Sequence, residues 1–580
     1  MMLHTPLTGN TKDHLALLTA WLFSLVIVLF PIFDYDLYWH LANGREMAQS
    51  GRIISEDIFS YTHFGEKFEN HEWLAQIILY LVWQTMGSYG LLGLKLLITI
   101  LVTLLVFRTV RILGGQPWLA ALLCIFAVLA GFHRYIERPE LFSLLNFSLI
   151  SFILYGYRAG RLTPRALWLI PLIMVMWNWL HGAVYGLALL SLFVAGENIK
   201  YFFPKLRRDA AGDHVVPSAL NHCYAITMLA MLIDPFGLRS YGMFFVLLGG
   251  EGSAITDKII EMLPTTSMWR RYIPFIFLLA WTSLLAVRHI RRIDITQLIL
   301  LLAFGSLALR YSRVTGITSI ALIPIITDLI IIAARQADNR LQKAWGTVML
   351  LAAVVFVAGY GYKVKFIDKS THAFGYHQLD ETYLPVGSAR FVKAMGLSGN
   401  YYNTGHFGGY LSYFMAPERK IFQSNLILFY GDTYRFVSQP NELARWNLNY
   451  AFVGDNDELR ILFPKQQWAR VYRDTGAVLV LRRTPQNQAL IQQYELHFFF
   501  PNMRDDELHK QTEDVNTLPR LAEEMGVYLA FCKNERIAES WARILAANPD
   551  LRNHPRIQQL LQQAQRYNSS SKLAQLVGYQ

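Results

Sequence analysis

The sequence predicts an α-helical polytopic membrane protein of about eleven spans, carrying a C-terminal extracytoplasmic α/β domain and a helical cap. Three observations lead there. Of 580 residues 53% are hydrophobic and only 16% are charged, with a mean hydropathy of +0.26, too apolar a balance for a large soluble core. The apolar residues gather in runs of roughly 17–22 residues up to about position 362. Beyond it, short apolar stretches alternate with charged, helix-prone ones.

The spans are expected near 15–33, 89–107, 117–133, 141–157, 166–180, 183–200, 217–233, 272–287, 295–309, 314–334 and 344–362. Between them lie basic clusters: Arg108/Arg111, Arg158/Arg161/Arg165, Lys200/Lys205/Arg207/Arg208, Arg288/Arg291/Arg292 and Arg335/Arg340/Lys343. Neighbouring clusters are separated by enough apolar chain for two crossings, so all fall on one side. The positive-inside rule makes that side the cytoplasm. An odd number of spans then places the N-terminus inside, and puts the loop 34–88 and everything after 363 outside. No cleavable signal pattern precedes the first span, which is read as an anchor. Cys124, Cys223 and Cys532 make no disulfide framework. The net charge of +11 follows from the cytoplasmic bias and attraction to lipid surfaces, and calls for no nucleic-acid partner.

Some cations break the rule. Arg134 and Arg138, Arg239, Arg270 and Arg271, and Arg310 and Arg313 fall at external helix ends. Arginines there either snorkel to headgroups and pair with carboxylates, or hold an anionic group such as a phosphate, which the planar guanidinium matches. The same face collects Asp34, Asp36, His40, Glu56, Asp57, His63, Glu69, His71 and Glu72 in the first loop, and Glu140, Asn178, His181, Asp234 and Glu261 later. A carboxylate at a helix end beside apolar chain and a cation suits a general base acting on a hydroxyl acceptor. For Asp34 and Asp36, in FDYDLYWH (Phe33 to His40), the competing reading is capping of the next helix. NHEW at Asn70 to Trp73 offers one His and one Glu, without HExxH spacing or paired cysteines, a weak basis for a metalloprotease.

In the tail, 384–397 has helical periodicity, NYYNTG, RKIFQ, YAFVG and AVLVLRR are strand-like, and 439–448 is helix-prone, so 363–484 is expected to form a small α/β domain. GHFGGYL lacks both the phosphate-loop lysine and dinucleotide spacing, so its glycines are assigned to turns. From about Thr512 the pattern GVYLAFCKNERIAESWARILAANPDL resembles one degenerate tetratricopeptide-type hairpin, and 485–580 is taken as a helical cap with a protein-binding role as the alternative. Tyr567 to Gln580 is expected to fray.

Several motifs carry a resemblance. The segment FDYDLYWHLANGREMAQSGRIISEDIFSYTHFGEKFENHEWLAQ, then RPELFS (Arg138 to Ser143), WNWLHG (Trp177 to Gly182), DPFG (Asp234 to Gly237) and IIEMLPT (Ile259 to Thr265) occur in order at external helix ends. With NTGHFGGYLSYF, ERKIFQSN, NYAFVGDND and VYRDTGAVLVLRR in the tail, residues 15 to about 484 resemble bacterial multipass proteins related to the protein O-mannosyltransferases, within the GT-C glycosyltransferase superfamily. The motifs are specific for the group and not for substrate.

The resemblance implies a bacterial plasma-membrane enzyme that passes a sugar from a polyprenyl-phosphate carrier to an extracytoplasmic protein or glycan acceptor. It implies an acidic residue of the first external loop as catalytic base or acceptor-binding carboxylate, Asp36 first and Asp34 second. Arg138, Arg310, Arg313 and Arg134 would hold the lipid phosphate, and His40, Asp57, His71, Glu72 and His181 would lie on the acceptor side. A divalent metal is left open, as relatives differ on it. In one place the chain departs from the group, which often has Asp and Arg after the strand equivalent to RKIFQ where this chain reads QSNL. The alternatives are a lipid-carrier transporter and an inactive scaffold of the cell envelope. The charges cluster at one surface rather than at mid-membrane, which disfavours the transporter.

Overall fold

A computed structural model describes residues 11–203, 217–237, 260–336, 340–364, 384–424 and 439–568. Arg239, Lys205, Arg207, Arg208, Ile259, Asn425 and Leu426 of the motifs above, the side chains of Arg340 and Lys343, and the last twelve residues, 569–580, lie outside them. The chain divides into two compact units. One comprises Met1–Ile32, Asn43–Ser55 and Glu69–Gln378; the other comprises Phe33–Ala42, Glu56–Phe68 and Leu379–Gln580.

The first unit is a helical bundle of a multipass membrane protein. Five of its described helices are long and apolar enough to cross a membrane: Thr11–Val28, Trp73–Ile112, Pro117–Arg134, Glu140–Arg158 and Ser312–Arg335. Ile273–Arg288, Ile295–Arg310 and Leu350–Tyr362 are shorter and apolar. The apolar run near 89–107 lies inside a 40-residue helix, Trp73–Ile112, interrupted at Gly87 (φ 58°, ψ −146°). Helix Pro117–Gly131 is central, with every residue from Leu119 to Gly131 buried. Helix Thr11–Val28 instead exposes Leu15, Leu18, Leu22 and Phe23, the pattern of a helix at the bundle surface facing lipid.

Several hydroxyls inside the bundle are satisfied on the preceding turn. Thr99 donates to the Lys95 carbonyl, Ser148 to Leu144 and Thr327 to Ile323, each within 2.7–2.8 Å, so a polar side chain costs little where no water is available. Close packing depends on small residues. A Cβ on Gly131 would approach the Gly316 Cα to 3.0 Å, and one on Gly316 would meet Arg134 Cβ and Cγ at 2.9 Å.

The second unit is built on a four-stranded sheet of β1 (Tyr401–Asn403), β2 (Tyr450–Gly454), β3 (Trp468–Arg473) and β4 (Ala477–Arg482), in the order β1-β2-β4-β3. β1 and β2 are parallel, and the other pairs antiparallel. The apolar cluster against it contains Tyr402, Phe422, Leu443, Leu448, Ala451, Phe463, Trp468 and Val480. The β2 and β4 stretches are continuous apolar runs, as expected for strands buried on both faces. Helix Val386–Ala394 is held at its start by the Asp474 carboxylate, which accepts from the Gly387 and Ser388 amides at 2.8 and 2.9 Å. The tetratricopeptide-like stretch forms helices Leu518–Leu529 and Glu535–Ala547, the second capped by Asn534, whose side chain accepts from the Ile537 amide at 3.2 Å.

RKIFQ is not a strand. Ile421 makes a single bridge to Ser60, and the Phe422 and Gln423 amides donate to the Asn403 side chain at 2.9 and 3.3 Å. A side-chain amide here does the pairing that a neighbouring strand would otherwise do.

Candidate functional site

In the bundle, the motifs RPELFS and IEMLPT meet around two carboxylates. Arg134, 3% exposed, donates through Nε to Glu140 Oε1 at 2.9 Å, pairs through Nη2 with Glu140 Oε2, and places Nη1 3.0 Å from Glu261 Oε1. Arg138 Nη1 lies 3.3 Å from the same Glu261 oxygen. The fork of Arg134 thus binds Glu140 bidentately and still reaches Glu261, as a planar five-donor group can.

The Glu261 segment is stitched to the next helix pair. Ser312 N donates to the Leu263 carbonyl and Thr265 N to Leu309, both at 3.0 Å, and Ser312 Oγ donates to the Glu261 carbonyl at 3.1 Å. These bonds bring Arg313 up to the group, where its charge acts on Glu261 and on His181. Arg313 Nε is buried without a hydrogen-bond partner among the described residues. Arg310 is exposed, its guanidinium 5.3 Å from the Tyr311 ring. Burial would push the Glu261 carboxyl up, but Arg134, Arg138 and Arg313 outweigh it and hold the group well below the usual carboxylate range.

WNWLHG and NHEW build a second, adjoining chain of contacts. Trp177 Nε1 donates to Ser143 Oγ at 2.7 Å, and Ser143 Oγ lies 2.7 Å from His181 Nδ1. His181 Nε2 faces Glu72 Oε1 at 3.4 Å, with His71 Nε2 3.9 Å from the same oxygen. The carboxylate favours a proton on His181 Nε2, which leaves Nδ1 to accept from Ser143. Gly182 turns the chain out of helix Leu169–His181 at φ 51°, and a Cβ there would stand 3.3 Å from the His71 ring. DPFG joins through Asp234, whose carboxylate accepts from Asn178 Nδ2 at 2.9 Å and from the Phe236 amide at 2.8 Å. His71, Glu72, Glu140, Asn178, His181, Asp234 and Glu261, together with Arg134, Arg138 and Arg313, thus belong to one bundle.

One pair in this region escaped the sequence reading. Lys95 Nζ and Glu137 Oε1 stand 2.6 Å apart, 0% and 1% exposed, with the ammonium 4.2 Å from the Phe30 ring centroid. A lone lysine in the apolar run 89–107 was the available signal, since ionisable residues in spans face the bundle interior and a partner. Glu137 immediately precedes Arg138.

The aspartates of FDYDLYWH and the first-loop residues His40 and Asp57 belong to the second unit. Asp34 is buried and its Oδ1 accepts from the Asp36 amide at 3.0 Å, where helix Asp36–Ser50 begins. Asp36 is half-buried and His40 buried. Neighbouring aromatic side chains seat on the tail: Tyr35 lies 5.8 Å from the His406 ring and Tyr38 5.0 Å from Tyr410. Asp57, fully buried, accepts from the Phe59 and Ser60 amides at 2.8 and 3.0 Å and from Ser60 Oγ at 2.7 Å, which closes its own loop. Among the described residues no group of three or more His, Cys, Asp or Glu side chains is placed to hold a metal ion.

No family model matches the chain, and no curated protein matches it. Solved structures do. The apo oligosaccharyltransferase of Archaeoglobus fulgidus is 10% identical over 83% of this chain and 76% of its own, with a TM-score of 0.51. The archaeal oligosaccharyltransferase AglB of the same organism, in complex with an inhibitory peptide and a dolichol-phosphate, is 11% identical over 82% and 75%, with a TM-score of 0.50. ArnT from Cupriavidus metallidurans, bound to undecaprenyl phosphate, is 14% identical over 81% and 97%, with a TM-score of 0.43. At these identities the likeness to the archaeal enzymes is one of fold: the chain shares the fold of the Archaeoglobus fulgidus oligosaccharyltransferase.

Proposed function

We propose that the protein transfers a sugar from a polyprenyl-phosphate carrier to an extracytoplasmic acceptor. The observation that carries this reading is the group Arg134, Arg138 and Arg313 around Glu140 and Glu261. Among the described residues three guanidinium groups are gathered around two carboxylates, an excess of one positive charge, and the buried Arg313 Nε has no hydrogen-bond partner. Such a group suits a phosphate. It is also a group that sequence assigned to the external ends of several helices, and an archaeal enzyme of this fold has been solved with a dolichol-phosphate.

In the reaction the acceptor oxygen attacks the anomeric carbon and the bond from that carbon to the phosphate oxygen breaks, its electron pair leaving with the phosphate. Arg138 and Arg313, with Arg310 and Arg134, neutralise the charge developing on the leaving oxygen. Asp36 or Asp34 takes the acceptor's proton. His40, Asp57, His71, Glu72 and His181 serve the acceptor side, and a divalent metal remains compatible with the reaction. The bundle, residues 1–362, sits in the bacterial plasma membrane with 363–484 and 485–580 outside it.

The test is transfer by the full chain reconstituted with a polyprenyl-phosphate sugar. Asp36→Asn or Asp34→Asn should slow transfer by about 10²–10⁴-fold, and Arg138→Gln should slow it while weakening carrier binding. Wild-type rates in both aspartate variants sink the assignment of the base. Saturable carrier binding without transfer to any acceptor favours the inactive scaffold.

A further inference from the structure

The other end of the bundle holds a cavity that the proposed reaction leaves unused. It has a volume of about 270 Å³ and is lined by Arg288, His289, Ile290, Arg291, Arg292 and Gln336. That is close to the roughly 300 Å³ at which small-ligand sites begin. Helix Ile273–Arg288 separates this end from the external arginines by about 24 Å, its length at 1.5 Å per residue. By the positive-inside rule this is the cytoplasmic end.

The chain turns tightly after Arg288. His289 N donates to the Leu285 carbonyl at 3.0 Å, and both Arg292 N and Ile293 N return to the His289 carbonyl, at 2.8 and 3.0 Å. Arg288, Arg291 and Arg292 are thereby gathered into one turn, and each is exposed. The nearest acid along the chain does not neutralise them. Asp294 is buried, accepts from the Thr296 and Gln297 amides, and is committed to Arg158 at 2.9 Å and Lys200 at 3.0 Å.

His289 supplies an independent observation. It is 7% exposed, and its Nε2 has no hydrogen-bond partner among the described residues. With the Gln336 amide turned to satisfy its neighbours, the Gln336 oxygen accepts from Arg292 Nε and Nη1 at 2.8 and 2.6 Å, and its nitrogen donates to His289 Nδ1 at 3.2 Å. An imidazole that accepts at Nδ1 carries its proton on Nε2. Burial, with Arg288 and Arg292 beside it, keeps the ring below the usual histidine range and therefore neutral. Among the described residues, the charged and polar side-chain groups left to a ligand are donors: three guanidiniums and an imidazole N–H. Arginines serving only to orient a span would not need a buried, unspent N–H among them.

We propose that this cavity binds a phosphate-bearing anion, either the headgroup of an anionic phospholipid or a free phosphate, at a site separate from the external arginines. The site recognises the anion by charge-assisted hydrogen bonds from the arginines and one from His289 Nε2.

Native mass spectrometry of the full chain in detergent tests it, with phosphatidylglycerol, phosphatidylcholine and inorganic phosphate as probes. The expected result is selective retention of phosphatidylglycerol, reduced about thirtyfold in Arg291→Gln/Arg292→Gln, since each arginine near the surface contributes about fivefold. Arg138→Gln should leave that retention unchanged, which separates this site from the proposed active site whether or not the transferase reading holds. Displacement of the lipid by millimolar inorganic phosphate, or binding of phosphate alone that is lost in the double variant, identifies a free anion as the ligand. Arg291 and Arg292 are exposed, so the variant should fold, and the single variant Arg288→Gln repeats the measurement. Equal retention of both lipids, retention unchanged in these variants, or binding of neither lipid nor phosphate overturns the proposal.

Discussion

Replacing Lys95 by Met tests how the bundle holds the loop that carries Arg134 and Arg138. The pair Lys95–Glu137 is 2.6 Å long, with 0% and 1% exposure at its two ends. Removing the cation leaves the Glu137 carboxylate buried without it, and breaking a buried pair by deleting one partner costs about 3–5 kcal/mol. At about 2.1 cal/mol/K of unfolding entropy per residue, a chain of 580 residues shifts its melting temperature by roughly 0.8 °C per kcal/mol, so the variant should melt roughly 2–4 °C lower in detergent. The double variant Lys95→Met/Glu137→Gln removes both charges and should recover most of the loss, because a neutral pair of similar volume avoids the desolvation penalty. Thermal unfolding of the wild type, both single variants and the double variant gives the coupling energy directly. A coupling below about 0.5 kcal/mol, or a Lys95→Met protein as stable as wild type, refutes the reasoning. Glu137 adjoins Arg138, so Lys95→Met should also weaken carrier binding, and Glu137→Gln should weaken it less.

Three further outcomes are expected. Gly316→Ala places a methyl 2.9 Å from Arg134 Cβ and Cγ; the overpacking should cost about 1–3 kcal/mol, read by thermal unfolding, and a neutral result would show that helix Thr315–Arg335 can move aside. Asp474→Ala strips two buried amides of helix Val386–Ala394 of their acceptor and should destabilise the second unit by about 2–4 kcal/mol, seen as faster hydrogen exchange in 386–394. Burial pushes the His406 pKa down to about 4, so the unfolded chain takes up a proton near pH 6.5 that the folded one refuses. Stability contributed by His406 is therefore full above pH 6.5 and falls between 6.5 and 4, by about 1–2 kcal/mol at pH 5 after allowance for its partial exposure. Melting at pH 7 and pH 5 should show this loss reduced in His406→Gln.

Sequence by itself determined the element pattern of the bundle. The apolar runs near 117–133, 141–157, 295–309 and 314–334 correspond to helices Pro117–Gly131, Glu140–Arg158, Ile295–Arg310 and Thr315–Arg335, because a membrane span must satisfy its backbone internally and bury few charges. Arginines at the helix ends opposite the basic clusters were equally visible, since such residues break a statistical rule that local sequence can display. Tertiary structure decided which of those cations meet. Arg134 and Arg138 share one short segment, but Arg313 and Glu261 come from parts of the chain far from it, and the stitching of Leu263 and Thr265 to Ser312 and Leu309 brings Arg313 and Glu261 together. RKIFQ had the composition of a strand, but its Phe422 and Gln423 amides are taken by the Asn403 side chain, a partner no local pattern specifies. Lys95 was visible as an oddity in an apolar run, whereas its partner Glu137 was fixed by helix packing. The burial of His289 and the commitment of Asp294 to Arg158 and Lys200, on which the proposed anion site rests, were likewise set by packing. Periodicity reports which face of an element is apolar; which charge stands opposite another depends on contacts between elements, and those exist only once the chain has folded.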